Sequence, residues 1–278
     1  MGAALKRARA YLLQRQSPGG GFCFYRGYYA DEPNLSDTWH GIAALTGLLG
    51  IDLAQKNEHA RFIIAQPIEP QPAALYHRVR ALRIIGCDDP KENEVEWAVR
   101  SLQLSPSAFF LQAPMDASLH RLRKVLWLQE HFGVAAAHDE TARAVLKRED
   151  EAGGFGTPPN LIDIEAAIAL LEQCGGRPGM HTNDFVKRMA LAGFGFRLTA
   201  GSLSPNLETV CAGMLSCIRL GLPVSYEHDA LAFILSCQTG NGGFARAADA
   251  LPDFTLTHRA LDVLVKRLPP TVLDNVRA

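Results

Sequence analysis

The sequence predicts an all-α fold, an (α/α)6 barrel or toroid of six helix pairs, and two repeated patterns support this prediction. Prolines recur at intervals of 37 to 47 residues, at Pro33, Pro70, Pro114, Pro159, Pro205 and Pro252. A period of that size is typical of repeat architectures. A glycine-rich turn that ends in phenylalanine recurs between them. Because the patterns run from end to end, we expect one domain over residues 1–278; the period alone leaves an open superhelix as an alternative.

Each proline is expected to precede a helix. Three of these starts read Pro-Asn-Leu, and asparagine is a preferred N-cap residue. The positions two, five, nine and twelve after the proline are mainly apolar and form one helical stripe. Position twelve is occupied by Leu45, Leu82, Leu126, Leu171, Cys217 and Leu264. This stripe predicts packing against the partner helix of each pair.

A second helix is expected before each turn, for example over residues 3–16, 92–103, 139–147 and 226–237. The turns at residues 16–22 (Gln-Ser-Pro-Gly-Gly-Gly-Phe) and 238–244 (Gln-Thr-Gly-Asn-Gly-Gly-Phe) align without gaps. Residues 103–109 keep the distance from Gln to Phe, and residues 153–155 keep the Gly-Gly-Phe ending. Glycine permits a positive φ and the phenylalanine can return to the core. We therefore interpret the turns as structural.

The composition excludes several classes of protein. The 28 basic and 29 acidic residues give a net charge of −1, which argues against a nucleic-acid partner. No run of eighteen apolar residues occurs, so no transmembrane segment is predicted. The first sixteen residues intersperse basic residues with Ala and Leu and are typical of a helix rather than a signal peptide. The six cysteines form no CxxC pair, which predicts reduced thiols and a cytoplasmic location.

The Gln…Gly-Gly-Phe turn, a short loop and an Ala/Leu-rich helix end together resemble the repeat of the prenyltransferase β-subunit and squalene–hopene/oxidosqualene cyclase superfamily. The resemblance covers essentially the whole chain. It implies an (α/α)6 barrel with the proline-started helices inside and an apolar central cavity that holds an isoprenoid chain. It also implies a protein partner, because those β-subunits work with a helical-repeat α-subunit. The fold does not determine the reaction.

The zinc site that the resemblance implies does not match this sequence. The Asp, Cys and His ligands of the protein prenyltransferases fall on Leu207, Thr209 and Leu256, which cannot bind zinc as those ligands do. Cys211 and His258 lie two residues further along their helices and are expected to pack against the outer helices. No metal site is therefore predicted, although magnesium would accompany a diphosphate substrate.

The cyclase motif DxDD, whose middle aspartate protonates the substrate, is also incomplete. The first and fourth repeats retain Asp37 and Asp163, and the fifth places Glu208 at the position of the acid. These three residues are the candidate catalytic acids. The competing interpretation is that each stabilises a helix N-terminus through the helix dipole.

The face at positions four, seven, eight and eleven is expected to line the cavity. Its candidate substrate-binding residues are His40, His77, Arg78, Arg121 and Arg259, whose cations could hold a diphosphate. They could instead pair with buried acids. Aromatic residues that could stabilise a carbocation are Trp39, Tyr76, Phe22, Phe24, Tyr25, Tyr28 and Tyr29. Trp39 and Tyr76 share the position of Cys211 and His258, which are expected to face the outer helices, and are therefore expected to be core residues.

Two functional hypotheses follow. The first is an isoprenoid-acting enzyme, a divergent terpene cyclase or prenyltransferase-like protein. The second is a non-catalytic α/α barrel that binds an isoprenoid or a protein partner. A glycosidase-like enzyme with paired carboxylates is a third hypothesis, which the Gly-Gly-Phe turns disfavour.

Overall fold

The computed structural model describes residues 1–24, 31–102 and 115–277, and these residues are mostly helical. The helices are α1 (Gly2–Gln14), α2 (Leu35–Ile42), α3 (Lys56–Ala65), α4 (Pro72–Ile85), α5 (Glu92–Ser101), α6 (Met115–His131), α7 (His138–Leu146), α8 (Leu161–Gln173), α9 (Met180–Arg188), α10 (Leu207–Leu220), α11 (Glu227–Ser236), α12 (Phe254–Arg267) and α13 (Pro270–Arg277). Strands β1 (Ala190–Leu191) and β2 (Gly195–Phe196) form an antiparallel hairpin. The four predicted helices correspond to α1, α5, α7 and α11, each within two residues at the ends that the structure describes.

The chain divides into two compact units. Unit 1 comprises Met1–Ala98 and Leu235–Ala278, and unit 2 comprises Val99–Ile234. In unit 1, α2 packs against α4 and α12, and α3 packs against α4. In unit 2, α8 packs against both α6 and α10. The single domain over residues 1–278 stays a prediction.

The predicted N-caps are present on four proline-started helices. The side chains of Asn34, Asn160 and Asn206 accept hydrogen bonds from backbone N–H groups in the first turns of α2, α8 and α10. Asp253 does the same for α12, where Leu256 N donates. Each cap satisfies donors that the helix itself leaves without partners.

The glycine-rich turns form the same structure three times. The backbone N–H groups of Asn34, Asn160 and Asp253 donate to the carbonyls of Phe22, Phe155 and Phe244 respectively, and all three phenylalanine side chains are fully buried. The preceding glycines have positive φ: 93° at Gly20, 85° at Gly153 and 97° at Gly242. A Cβ at Gly20 would lie 2.1 Å from the carbonyl oxygen of Glu58 in α3. Glycine is therefore required both by φ and by the close approach of a helix backbone.

The glutamine of the turn has a role that the sequence did not predict. The amide oxygen of Gln16 contacts His59 Nε2 at 3.0 Å, and His59 Nδ1 accepts from Gly21 N at 2.9 Å. His59 is thus a neutral imidazole with its proton on Nε2, and burial lowers its pKa to about 4. Gln238 anchors the last turn in the same way, because its Nε2 donates to Ala4 O at 2.8 Å. Each glutamine fastens its turn to a helix distant in sequence.

The fifth repeat contains a turn that the sequence analysis missed. In the hairpin, Ala190 pairs with Phe196, and the Phe196 side chain is 1% exposed. A Cβ at Gly213 would lie 2.3 Å from the Phe196 ring, so glycine at this position of α10 makes room for the phenylalanine. In the sequence, Phe194 separates Gly193 from Gly195, so the segment does not contain the Gly-Gly-Phe pattern by which the other turns were identified.

The helix ends correct the register of the third repeat. A left-handed glycine follows each of five proline-started helices, at Gly50, Gly86, Gly133, Gly175 and Gly221. The next residue donates to the position-twelve carbonyl, as Leu222 does to Cys217 and Cys87 does to Leu82, an arrangement typical of a Schellman motif. In α6 the acceptor is Gln129, through Val134 N at 2.8 Å, so Gln129 and not Leu126 occupies position twelve. Pro114, which set the predicted register, lies outside the described residues.

The first repeat accommodates one additional residue. The helix of α2 continues as a π-helix over Ala43–Leu48, in which Leu49 N donates to Ala44 O at 3.0 Å. A π-helix takes one more residue per hydrogen-bonded turn. Gly50 therefore follows its proline by seventeen residues, whereas Gly86, Gly175 and Gly221 follow theirs by sixteen.

Candidate functional site

Five rings on three helices of unit 1 are in mutual contact, and we call them the ring cluster. It consists of Trp39 and His40 on α2, Tyr76 and His77 on α4, and His258 on α12. Trp39 stacks on His77 with ring centroids 6.1 Å apart, and it meets Tyr76 edge-on at 5.6 Å and His258 at 6.3 Å. The His40 ring lies 5.8 Å from His77 and 5.2 Å from His258. The cluster therefore joins the three helices through aromatic contacts.

The ring cluster has a buried floor and an accessible surface. Trp39 is 6% exposed and His77 is 7% exposed, whereas His40, Tyr76 and His258 are half-buried. A surface of this kind offers π faces to an apolar or cationic group.

Charged side chains lie close to the ring cluster. The Arg80 guanidinium lies 5.4 Å from the Trp39 ring centroid and 5.7 Å from that of Tyr76, within the range of a cation–π interaction. Burial is the main cause that lowers the pKa of His258 to about 4, and the charges of Arg80, Arg259 and Lys266 lower it further, whereas Asp262 opposes them. Lys266 and Asp262 form an ion pair at 2.8 Å. One carboxylate and three cationic side chains therefore act on His258, whose pKa is lowered mainly by burial.

The two half-buried imidazoles of the cluster share a hydrogen bond. His40 Nδ1 lies 3.0 Å from His258 Nδ1. Since two nitrogens at this distance need one proton between them, one ring is the Nδ1–H tautomer and the other presents a lone pair at Nδ1. The low pKa of His258 favours the neutral form of that ring.

The predicted orientation of the helix faces is wrong in two respects. Positions eight and eleven, expected to line a cavity, are buried by protein in the proline-started helices: Gly41, Ala44, Arg78, Ala81, Ala167, Leu170, Gly213, Ser216, Ala260 and Val263. Trp39 is buried, as expected for a core residue, but Tyr76, also expected in the core, and His258, expected to pack against an outer helix, are half-buried in the ring cluster. The apolar pattern distinguishes only two faces of each helix, but helices packed side by side also have lateral faces, on which positions six and seven of neighbours meet.

Arg78 does not serve as a substrate-binding residue. Its side chain is 2% exposed, and all five of its N–H donors are taken. Nε and Nη2 donate to the Asp89 carboxylate at 2.5 and 2.9 Å, and Nη1 and Nη2 donate to the carbonyls of Ile63, Ile64 and Gln66. Arg78 thus stabilises the C-terminus of α3 and the turn after α4.

Arg121 does not share the face of His40 and His77 either. Aligning α6 by its end places Arg121 at position four, where its side chain is exposed. Lys124 takes position seven, and burial, with a contribution from Arg123, lowers its pKa. Arg259 does lie at position seven of α12, half-buried and close enough to affect the pKa of His258.

Asp37 and Asp163 occupy equivalent positions in the two units. The Asp37 carboxylate accepts from Asn34 Nδ2 at 2.8 Å and from Phe24 N at 3.1 Å. The Asp163 carboxylate accepts from Asn160 Nδ2 at 2.6 Å. Burial is the main cause that raises the pKa of each carboxyl. Glu208, the third candidate acid, lies half-buried in the first turn of α10 in unit 2.

Asp253 is an acid that the sequence analysis treated only as a cap. Burial raises its pKa, and the charge of Asp37 raises it further. Asp37 and Asp253 are therefore two carboxyls of unit 1 whose ionisation is disfavoured. The sequence did not reveal this, because the effect of Asp37 on Asp253 depends on α2 and α12 being neighbours.

The residues at the superfamily's zinc positions do not fit a zinc ion. Leu207 is fully buried, Leu256 is 7% exposed, and Thr209 is buried in α10. Among residues 1–24, 31–102 and 115–277, no three His, Cys, Asp or Glu side chains come together as ligands. Cys211 is fully buried, as predicted for a packing residue.

Of the remaining aromatic candidates, Phe22 is a core residue that stacks on His59 at 5.0 Å, and Phe24 is 38% exposed. Tyr25, Tyr28, Tyr29 and the turn at 103–109 lie outside the described residues. Across the part of the chain that the structure describes, no helix is both long enough and apolar enough to span a membrane.

Comparison with known proteins confirms the fold. The chain is similar to a solved chain described as Candida albicans protein geranylgeranyltransferase-I complexed with GGPP, with a TM-score of 0.56, 14% identity and coverage of 83% of both chains. The predicted all-α toroid of helix pairs is thus the fold class, and the similarity to this neighbour is a similarity of fold. No family model and no curated protein matches the sequence.

Proposed function

We propose that this protein is a prenyltransferase-like enzyme that binds an isoprenoid diphosphate at the ring cluster of unit 1. The observation that carries the proposal is the combination of half-buried rings with adjacent guanidinium groups, Arg80 over the rings of Trp39 and Tyr76 and Arg259 near His258. The π faces of Tyr76, His40 and His258 suit an isoprenoid chain and stabilise a carbocation derived from it. Arg80 and Arg259 suit the diphosphate, since guanidinium groups form bidentate hydrogen bonds with phosphate oxygens. The fold shared with an enzyme whose structure contains GGPP supports the same ligand class.

The ligand set that we propose is His40, His77, Tyr76, Arg80 and Arg259. Magnesium would accompany the diphosphate. Asp37 is the candidate acid of unit 1, whereas Asp163 and Glu208 are candidates in unit 2. A cytoplasmic location and a partner subunit belong to the same proposal.

A protonation-initiated cyclisation is the second candidate function. It is favoured by the Asp37–Asp253 pair, in which each carboxyl has a raised pKa and could hold a proton for an alkene. Replacing Asp37 with Asn would abolish this reaction and leave binding of a prenyl diphosphate unchanged.

The test is a binding and turnover assay with geranyl, farnesyl and geranylgeranyl diphosphates and squalene, with and without magnesium. Calorimetry measures binding, and mass spectrometry measures products and released diphosphate. Arg80→Gln is expected to weaken diphosphate binding roughly tenfold or more, the effect of losing one charge-assisted contact. Arg121→Gln, an exposed arginine, is the matched control. If the diphosphates bind and remain intact, the protein is a non-catalytic isoprenoid-binding subunit; absence of binding would refute the proposal.

A further inference from the structure

A groove on the surface of unit 1 lies between helix α5 and the turn that joins α3 to α4, and we call it the Trp97 groove. It is lined by Ile68, Pro70, Asn93, Glu94, Trp97 and Ala98. Its volume is about 380 Å³, which is comparable to that of binding sites for small molecules. The groove shares no residue with the ring cluster, so it is a separate feature of the same unit.

Trp97 provides a large apolar surface that the packing of the helices does not use. The residue is 72% exposed, although α5 buries Val95, Ala98 and Val99. From the turn, Ile68 and Pro70 add further apolar surface to the groove. Tryptophan is enriched in protein interfaces and among the residues that carry most of their binding energy. An exposed tryptophan in a groove therefore indicates a surface that receives a partner.

Carboxylates give the Trp97 groove an acidic character. Glu94 lies three residues before Trp97, so both side chains are on one side of α5. Glu94 is exposed and forms no ion pair with any residue that the structure describes, and Glu69 is exposed between the two lining residues of the turn. The basic residues Lys91 and Arg100 lie near the two ends of α5 and do not line the groove. The groove thus favours a cation and disfavours nucleic acid or an anionic lipid surface.

We propose that the Trp97 groove binds an arginine side chain from a basic segment of a partner protein. The guanidinium would stack on the Trp97 ring and form a bidentate pair with the Glu94 carboxylate, and arginine suits both contacts better than lysine does. The methylene groups of the arginine would pack on Ile68 and Pro70. This inference adds the chemistry of a protein partner to the proposed function, and it does not depend on the isoprenoid ligand.

The test is the binding of a fluorescein-labelled peptide of alternating arginine and glycine residues to the full chain, measured by fluorescence anisotropy. The control ligand is the same peptide with citrulline in place of arginine, because citrulline has the shape of arginine without its charge. We expect the arginine peptide to bind about tenfold more tightly than the citrulline peptide.

Variants of the groove locate the binding site. Trp97→Ala should weaken binding of the arginine peptide about tenfold, and Glu94→Gln about threefold, the scale of an exposed ion pair. Trp97→Phe should retain most of the affinity, because it keeps an aromatic face. Glu140→Gln removes an exposed acid from the first turn of α7 in unit 2 and should leave the affinity unchanged.

A measurement on the wild-type protein guards against variants that fail to fold. Trp97 is exposed, whereas Trp39 is buried and Trp127 is half-buried, so the arginine peptide should reduce the quenching of tryptophan fluorescence by acrylamide. Equal binding of the two peptides or unchanged affinity in Trp97→Ala would overturn the proposal. Absence of binding at about millimolar peptide would also overturn it. The binding of prenyl diphosphates is measured separately, so neither proposal fails with the other.

Discussion

The two compact units place different chemistry on equivalent helices. In unit 1, position six carries Trp39, Tyr76 and His258, and Arg80, Arg259 and Lys266 lie close enough to His258 to lower its pKa. In unit 2, the same position carries Glu165 in α8 and Cys211 in α10. Arg219 of α10 is held between the carboxylates of Glu165, at 3.6 Å, and Glu172. Equivalent helices therefore support an aromatic surface with arginines beside it in one unit and an ion-pair cluster in the other.

The comparison of the two units distinguishes arginines that stabilise the fold from arginines that are suited to bind a ligand. Arg78 and Arg219 are matched by carboxylates and carbonyls and fasten helices together. Arg80, only two residues from Arg78, points to the opposite side of α4 and lies over two rings. Position on the helix, rather than residue type, separates the two roles.

The largest loss of stability is expected from Arg78→Met. It removes five hydrogen bonds and leaves the Asp89 carboxylate without its partner, which should cost about 3–5 kcal/mol of unfolding free energy. Burial alone would then raise the pKa of Asp89, which the Arg78 contacts now hold low. Urea denaturation measures the change, and Arg219→Met, at a side chain that is 20% exposed, should cost clearly less. Equal losses for both variants would contradict the distinction between the two arginines.

The next prediction concerns a variant that should lower ligand affinity without lowering the stability of the protein. Arg80→Met should weaken prenyl diphosphate binding roughly tenfold or more while changing the unfolding free energy by about 1 kcal/mol or less. Arg219→Met should leave the affinity unchanged, because its charge is already neutralised. Calorimetry and denaturation of the same samples provide both values. A loss of affinity in the Arg219 variant would indicate that the ligand does not bind in unit 1.

The pH dependence of stability should reveal the neutral histidines. The pKa values of His59 and His258 are lowered from 6.5 to about 4. Above pH 6.5 both the folded and the unfolded chain are neutral at these rings. Between pH 6.5 and 4 only the unfolded chain binds the protons, so stability falls as the pH falls. His59→Gln should flatten this slope, and denaturation at several pH values tests it; an unchanged slope would show that His59 titrates normally.

The smallest change in stability is expected at Asp37 and Asp163, which occupy equivalent positions in the two units. The pKa of Asp37 and that of Asp163 are raised above 3.8, so each group stabilises the folded chain below 3.8 and loses that contribution as the pH rises through its folded pKa. Asp163→Asn and Asp37→Asn should therefore each change the unfolding free energy at pH 7 by about 1 kcal/mol or less. The introduced asparagine can still accept a hydrogen bond from the side chain of the capping Asn160 or Asn34. A much larger loss in either variant would show that the carboxylate itself, rather than the cap, supports the helix start.

Much of the fold followed from local signals in the sequence. The asparagine caps, the glycines with positive φ and the buried phenylalanines of the turns depend on residues within about twenty positions of one another, and all were predicted correctly. The hairpin that ends at Phe196 was missed because its glycines are separated by phenylalanine. The register of α6 was wrong because it was read from Pro114, whereas Gln129 and Gly133 show where the helix ends.

The candidate site depended on contacts that no local pattern contains. The sequence by itself determined the helix pairs, their caps and the presence of His40, His77 and Arg259 at one repeated position. Only the tertiary structure decided that Trp39, Tyr76 and His258 join them, that Arg78 is fully occupied and that His40 shares a proton with His258. The physical reason is that helical periodicity fixes the angle between residues of one helix, whereas the neighbour that each face meets is set by how separate helices pack.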